Sequence, residues 1–397
     1  MSGHKQPDNT DTLKQLSVGI VSGILHPRYG GPSTVVKVHF KGLSPYAHIK
    51  IFGVAQHDEF DDILEIFPNA HLFKKTFPDR WFRSKGMMEA LYEASSHYDI
   101  IHAHMLWDYP VYAAWKAAKR AKKPLIITPH GSLSSPWRYK AFHKLVYRKL
   151  ILEQILNDTA FLHVLNKFEE IACREFGIKC PIKIIPNGLP LTEYVRVRTP
   201  EQALDHWPQM RNRRVLLYLG RLWSEKGLDI LSTAWAEANK LSKFAKDWIF
   251  VIAGPDYKNY KSYLIDKIKD LGIKSQVLIT GPVTGELKHS LFAAAEVFVL
   301  PSRSEGFSMA LLEAIAAGLP VLYTTECNFP ELAESGGGWE IPLREYELIA
   351  SLSEIIRIHS DTLRAIGEKG RALGLKNYTM EQISFQLLEM YNIVMVH

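Results

Sequence analysis

The chain has 397 residues, 47% of them hydrophobic and 23% charged, with a formal net charge of +6. That length favours two cores over one, and the composition excludes fibrous and disordered classes. No apolar run reaches the roughly 18 residues that a membrane helix needs, which argues against a bilayer-spanning chain. Cys173, Cys180 and Cys327 have no metal-ligand spacing and leave one unpaired, so free thiols in a reducing cytoplasm are expected.

The opening MSGHKQPDNTDTLKQL is polar and contains acids, and the apolar SVGIVSGIL after it reads as a first strand and not as a leader, so export is not expected. LSVGIVS, HIKIFGV, DIIHAH, KPLIITP, AFLHVLN and IKIIP are short β-branched runs, with helix-like stretches between several of them. This alternation is that of a parallel sheet with crossover helices, in which ligands bind beyond the carboxyl ends of the strands. After the first run comes YGGPS. Gly30 and Gly31 permit close backbone approach and Pro32 suits a first helical position, giving either a phosphate cradle or a plain turn.

From Trp115 to Leu150 there are ten Lys or Arg residues and no acid. Such a patch suits phosphate-rich material: nucleic acid, anionic lipid or a pyrophosphate-linked substrate. Part of it lies in SSPWRYKAFHKLVYRKLILEQIL, where Ser135 and Pro136 are good helix-starting residues. Lys140, Lys144 and Arg148 recur at four-residue spacing on one expected face; Phe142, Leu145, Val146, Leu152 and Leu156 gather on the other, with Lys149 intruding. The segment is either an ordinary amphipathic helix on the first domain or a contact with a membrane surface.

The alternation stops at NGLPLTEYVRVRTPEQALDHWPQMRNRR, which reads as a domain connection, and restarts with RVLLYLG, DWIFVIAG, QVLITG, EVFVLPS and LPVLYT. The second half is another doubly wound unit. In LGRLWSEKGLD, Arg221 and Lys226 leave a strand end and precede a helix, either sharing an anion or forming a solvated pair. Neither this loop nor YGGPS contains the GxGxxG dinucleotide fingerprint. In PSRSEGFSMALLEAIAAGLPVLYT a helix is expected from about Ser308 to Ala317, ended by Gly318 and Pro320. Glu305 lies in the loop before it and Glu313 inside it. Eight residues rotate roughly 800°, only about 80° from the starting direction, so both carboxylates can address one ligand. The alternative is a capping acid and a buried ion pair. The final TMEQISFQLLEMYNIV reads as an amphipathic helix with Thr379 as N-cap.

SEGFSMALLEAIAAGLPVL resembles the E-x7-E signature of retaining glycosyltransferases with the GT-B fold, specifically glycosyltransferase family 4. LGRLWSEKGLD is similar to that family's phosphate-binding segment and YGGPS to its N-terminal glycine loop; DIIHAHMLWDYP, ITPHGSL and IIPNGLP resemble other landmarks in the right order. The resemblance runs from about Gly19 to Ala333. It implies an α/β GT-B architecture, two doubly wound Rossmann-like domains facing a central cleft. Residues 1–190 would bind the acceptor and be joined by a C-terminal helix, 380–397; 191–212 would link; and 213–379 would bind a nucleotide-sugar donor.

By the same resemblance Glu313 would hold the ribose and Glu305 the transferred sugar, while amides of Phe307, Ser308 and Met309 would face sugar and phosphate. Arg221 and Lys226 would neutralise the departing pyrophosphate, a role that suits the charge growing there in the transition state. Gly281 and Val283 would contact the base, Gly31 would offer an amide to the diphosphate on domain closure, and His130 would approach the donor sugar. The alternative for His130 is a histidine satisfied by backbone. His102 and His104 are weaker candidates, one of them expected to point into the sheet, and Asp108 either touches the acceptor or caps the next helix. The chain has no Asp-x-Asp motif, and with two cations available no cofactor or divalent metal is expected.

The implied activity is retaining hexose transfer from a nucleotide sugar, UDP-glucose first, to a growing glycan or lipid-diphosphate-linked acceptor in bacterial-type surface polysaccharide synthesis. GDP-mannose and UDP-N-acetylglucosamine remain open as donors. A cytoplasmic enzyme, peripheral at the inner face of the plasma membrane and not binding nucleic acid, is expected. A nucleotide-sugar epimerase and a non-catalytic nucleotide-sugar-binding protein are the alternatives.

Overall fold

A computed structural model describes residues 15–76, 81–133, 142–195 and 199–396. Seven parallel strands form the first sheet: β1 (Ser17–Ser22), β2 (His48–Ala55), β3 (His71–Lys74), β4 (Ile100–His104), β5 (Leu125–Thr128), β6 (Phe161–Val164) and β7 (Ile182–Ile184), in the order β3-β2-β1-β4-β5-β6-β7. Six form the second: β8 (Arg214–Leu219), β9 (Trp248–Ala253), β10 (Val277–Gly281), β11 (Val297–Leu300), β12 (Val321–Thr324) and β13 (Gly338–Ile341), in the order β10-β9-β8-β11-β12-β13, again parallel. Central strands such as IIHAH and VFVL are buried along their whole length, as expected of sheets covered by helices on both faces. Strand order reverses between β1 and β4 and between β8 and β11, and at such a switch the loops splay apart to leave a crevice.

Two strands are absent from the sequence reading. The four-residue edge strands β3 and β13 carry HLFK and GWEI, too short and too mixed to show a period. The expected connection over 191–212 is also more ordered than its composition suggests. It holds the helices Thr192–Val195 and Glu201–His206, and its Leu191, Ala203, Trp207 and Met210 are buried in the second domain's core.

The helix Met380–Val396 crosses back to the first domain. Thr379 Oγ1 caps it, accepting from Gln382 N at 3.2 Å. Its Ile383, Leu387, Met390 and Tyr391 complete a cluster with Val18, Ile20, Val36 and Ile100. Close approach to the helix Gly31–Leu43 depends on Gly42, where a Cβ would come within 2.0 Å of Ser384 Oγ. The two chain crossings run side by side: Leu189 N donates to Tyr378 O at 3.0 Å and Met380 N to Leu189 O at 2.8 Å. Because Leu387 is fully buried in this seam, Leu387→Ala is expected to lower the unfolding free energy by about 3 kcal/mol, read from urea titration.

Candidate active site

The carboxyl ends of β1, β5, β7, β8, β10 and β11 converge on one cleft of about 600 Å³ between the domains. The first domain contributes Gly31, His130 and Asn187 to its lining; the second contributes Arg221, Lys226, Val283 and Lys288 and the segment Glu305–Glu313. Gly281 ends β10 just before the lining residues Pro282 and Val283.

Glu305 is held from several sides. Lys226 Nζ lies 2.5 Å from Oε1 and Ser302 Oγ donates to the same oxygen at 2.6 Å, with both charged side chains largely shielded from water. Its backbone is pinned by Glu305 N to Glu326 O at 3.0 Å and by Asn328 Nδ2 to Glu305 O at 2.9 Å. Arg303 forks onto Asp229 at 2.9 and 2.8 Å, tying this loop to the one that carries Lys226. That approach needs Gly227: it has φ +66°, and a Cβ there would sit 2.0 Å from Pro301 O.

The helix Met309–Ala316 starts at Ser308, whose Oγ accepts from Leu311 N at 3.4 Å. Its first-turn amides have no partner within the helix and carry the positive end of its dipole. Glu313, on its buried side, pairs with Lys288 Nζ at 2.8 Å. The ion-pair alternative for Glu313 is therefore present in the structure, and both partners still line the cleft. Nothing in the sequence singled out Lys288, which is one lysine on the helix Gly285–Ala294. Arg221 is positioned by Tyr218, whose hydroxyl donates to Arg221 O at 2.9 Å, and its guanidinium lies 5.5 Å from the Tyr257 ring centre. Across the cleft, a Cβ on Gly31 would stand 3.5 Å from Met309 Cγ.

His130 follows β5 with φ +52°, a left-handed conformation uncommon for a residue with a side chain. Its Nε2 lies 2.9 Å from His104 Nδ1. Behind it His102 bonds Tyr391 Oη and Thr128 Oγ1, each at 2.7 Å, and Thr128 Oγ1 lies 2.8 Å from His163 Nδ1. Both His102 and His104 are thus interior, and His104, not the cleft, takes one of His130's nitrogens. The His39 ring is 5.6 Å from His104, fully surrounded, with neither nitrogen hydrogen-bonded among the described residues. Glu169 steadies the His130 turn: Oε1 accepts from Gly131 N at 2.5 Å and Oε2 from Leu165 N at 2.8 Å. Burial raises its carboxyl, opposed by those two amides.

The residues expected at the acceptor or membrane do not join this cleft. Asp108 caps the helix Tyr109–Ala121, accepting from Val111 N at 3.3 Å, and burial pushes its carboxyl up to about 7. Lys140 lies outside the described residues. The expected basic and apolar faces of the next helix are rearranged. Arg148 turns inward, stacking 4.1 Å from the Phe176 ring centre and donating to Phe176 O at 2.8 Å, and Lys144 lies over Trp107 at 5.0 Å. Leu145, Val146 and Leu150 are exposed instead, while Leu152 and Leu156 are buried. A π-helical stretch, Arg148–Leu152, shifts the residues after it around the axis, which defeats a count based on a uniform 3.6-residue turn.

Residues 204–372 match the family model described as Glycosyl transferases group 1, and residues 31–193 match that of Glycosyltransferase Family 4. The chain is similar to an alpha-monoglucosyldiacylglycerol synthase of Streptococcus pneumoniae, at 25% identity over 323 residues, covering 77% of this chain and 70% of that protein. It is also similar to a GDP-mannose:cellobiosyl-diphosphopolyprenol alpha-mannosyltransferase of Xanthomonas oryzae pv. oryzae, at 26% identity over 266 residues and 66% of each chain. About a third of each relative therefore lies outside the match. Among solved structures, Anabaena Alr3699/HepE in complex with UDP and glucose superposes with a TM-score of 0.80 at 18% identity, covering 95% of this chain and 100% of that one, a likeness of fold.

Burial, aided by neighbouring histidines, pushes His130 down to about 3 and holds His39, His102 and His104 well below the ordinary value; burial alone takes His163 to about 4 against a bond to Ile185 O. These rings stay neutral in the folded state, whereas the unfolded chain takes up protons below about pH 6.5. Their contribution to stability is whole above that pH and is lost as pH falls toward the folded values. Unfolding free energy is expected to drop by about 1.4 kcal/mol per buried histidine from about pH 7.5 to about pH 5.5. Equal urea midpoints at the two pH values would refute a neutral cluster.

Proposed function

The chain belongs to the group 1, family 4 glycosyltransferases, and on that premise we infer that it moves a hexose from a nucleotide sugar to a glycan or lipid-linked acceptor, with retention at the anomeric carbon. What carries this reading is the pair of carboxylates in the cleft, each with a lysine at hydrogen-bonding distance: Glu305 with Lys226 and Glu313 with Lys288. The donor diphosphate lies at the first-turn amides after Phe307, facing Arg221 and Lys226. Charge grows on that diphosphate as the glycosidic C–O bond breaks, and fixed cations in a shielded cleft stabilise it without reorganising. Glu313 and Lys288 meet the ribose hydroxyls, Glu305 and His130 the transferred sugar, and Val283 the base.

Same-face attack accounts for retention: the acceptor oxygen bonds the anomeric carbon, the diphosphate leaves with the bonding pair, and its oxygen takes the acceptor's proton. A double displacement needs a free carboxylate beneath that carbon, and Glu305 is already engaged by Lys226 and Ser302. With two cations at the leaving group, transfer proceeds without a divalent ion. UDP-glucose is the first donor to try, with GDP-mannose and UDP-N-acetylglucosamine beside it, because the relatives' names carry different sugars. Their lipid acceptors also favour a peripheral membrane contact from the cytoplasmic side. Exposed Leu145, Val146 and Leu150, with Lys149 among them, suit an anionic bilayer surface. No described helix is long and apolar enough to cross a membrane.

In a donor panel scored by nucleotide release, one nucleotide sugar is expected to give acceptor-dependent turnover that is unaffected by EDTA. Lys226→Ala should lower kcat on the order of a hundredfold, and Glu305→Gln should lower transfer severely. Wild-type turnover by the Glu305 variant would sink that residue's role, and an altered free sugar formed without acceptor would mark an epimerase. Leu150→Glu with Lys149→Glu should weaken sedimentation with anionic vesicles several-fold while leaving neutral-vesicle binding low; unchanged sedimentation would remove the membrane contact.

A further inference from the structure

Two asparagines of the first domain reach across the cleft to adjacent carbonyls of the loop that carries Glu305. Asn166, after β6, donates Nδ2 to Gly306 O at 2.6 Å; Asn187, after β7, donates Nδ2 to Phe307 O at 3.3 Å. Neither amide can be reversed. A carbonyl only accepts, and the other end of Asn166 accepts from Glu169 N at 2.8 Å, capping the helix Lys167–Phe176. Asn187 is 2% exposed, and its Oδ1 has no partner among the described residues, so the bond to Phe307 is the one its side chain makes. Between the two contacts the domains meet backbone to backbone, since a Cβ on Gly306 would come within 3.2 Å of Gly131 Cα. Glu169 binds Gly131 N and Leu165 N together, which makes the gripping turns one unit.

In a trans peptide the C=O of one residue and the N–H of the next lie in one plane and point opposite ways. Holding the carbonyls of Gly306 and Phe307 therefore fixes the directions of the Phe307 and Ser308 amides. We propose that Asn166 and Asn187 are positioning residues through which the first domain aims those amides at the donor, so that the donor loop is in its reactive shape only while the cleft is closed. The effect on turnover rests on the donor-site reading above. The closure geometry does not.

The test uses the full chain with Asn166→Asp and Asn187→Ala, singly and together. Aspartate keeps the helix cap and loses the cross-cleft donor, so the thermal midpoint of the Asn166 variant should stay at the wild-type value. Small-angle scattering without ligand should give a larger radius of gyration for the double variant. With the donor found in the panel, kcat should fall about tenfold for each bond removed while the acceptor KM is unchanged. A double variant that scatters like wild type overturns the proposal, as does one that opens yet turns over at the wild-type rate. Failure of the wild-type chain to use any nucleotide sugar would overturn the donor reading instead, and the scattering comparison would still decide whether the asparagines hold the cleft.

Discussion

A carboxylate with little water around it must be held by protein, and the cleft is arranged around how Glu305 is held. Lys226 supplies the opposite charge, Ser302 a second donor, and Asn328 and Glu326 fix the backbone on either side. Lys226 arrives only because Gly227 lets its loop lie against Pro301, and the Arg303–Asp229 fork keeps the two loops in register. Removing either member of the ion pair would strand a largely buried charge, which costs more than the pair itself contributes. The arrangement also leaves Lys226 lining the cleft, so the charge that stabilises the resting site faces its interior.

The first domain meets this site with an environment of the opposite kind. His130 presents a neutral ring backed by four more histidines and by Tyr391 of the last helix, so no formal charge is added there. Positive charge is concentrated on the second domain, where Arg221, Lys226 and Lys288 line the cleft. That wall is the one suited to an anion, while the facing wall offers backbone, imidazole and amide groups beside Arg28, whose charge is paired with Glu59.

The central strands were legible in the sequence because a strand buried on both faces is an unbroken apolar run, and DIIHAH and EVFVLPS are such runs. The edge strands HLFK and GWEI were not, since one side of each is unpaired and its residues are mixed. In the site, the spacing of Glu305 and Glu313 was visible because acids inside an apolar stretch stand out. Lys288 and Asn166 were invisible, and Asn187 stood out only as part of the landmark IIPNGLP, because their importance comes from which loops the topology brings together. The helix after Phe142 misled for a different reason: its spacing was right for a regular helix, and five π-helical residues turned the faces.

The return of Met380–Val396 to the first domain has a consequence for biosynthesis. Val18, Ile20 and Ile100 are core residues of the domain made first, yet they are covered by a helix made after the whole second domain. At ordinary translation rates that apolar face waits on the order of ten seconds or more beside the ribosome. The nascent chain therefore carries an uncovered apolar face through about the second half of its synthesis. The first domain's core is thus complete only once the last helix has been made, and a chain cut short before Met380 leaves that face uncovered.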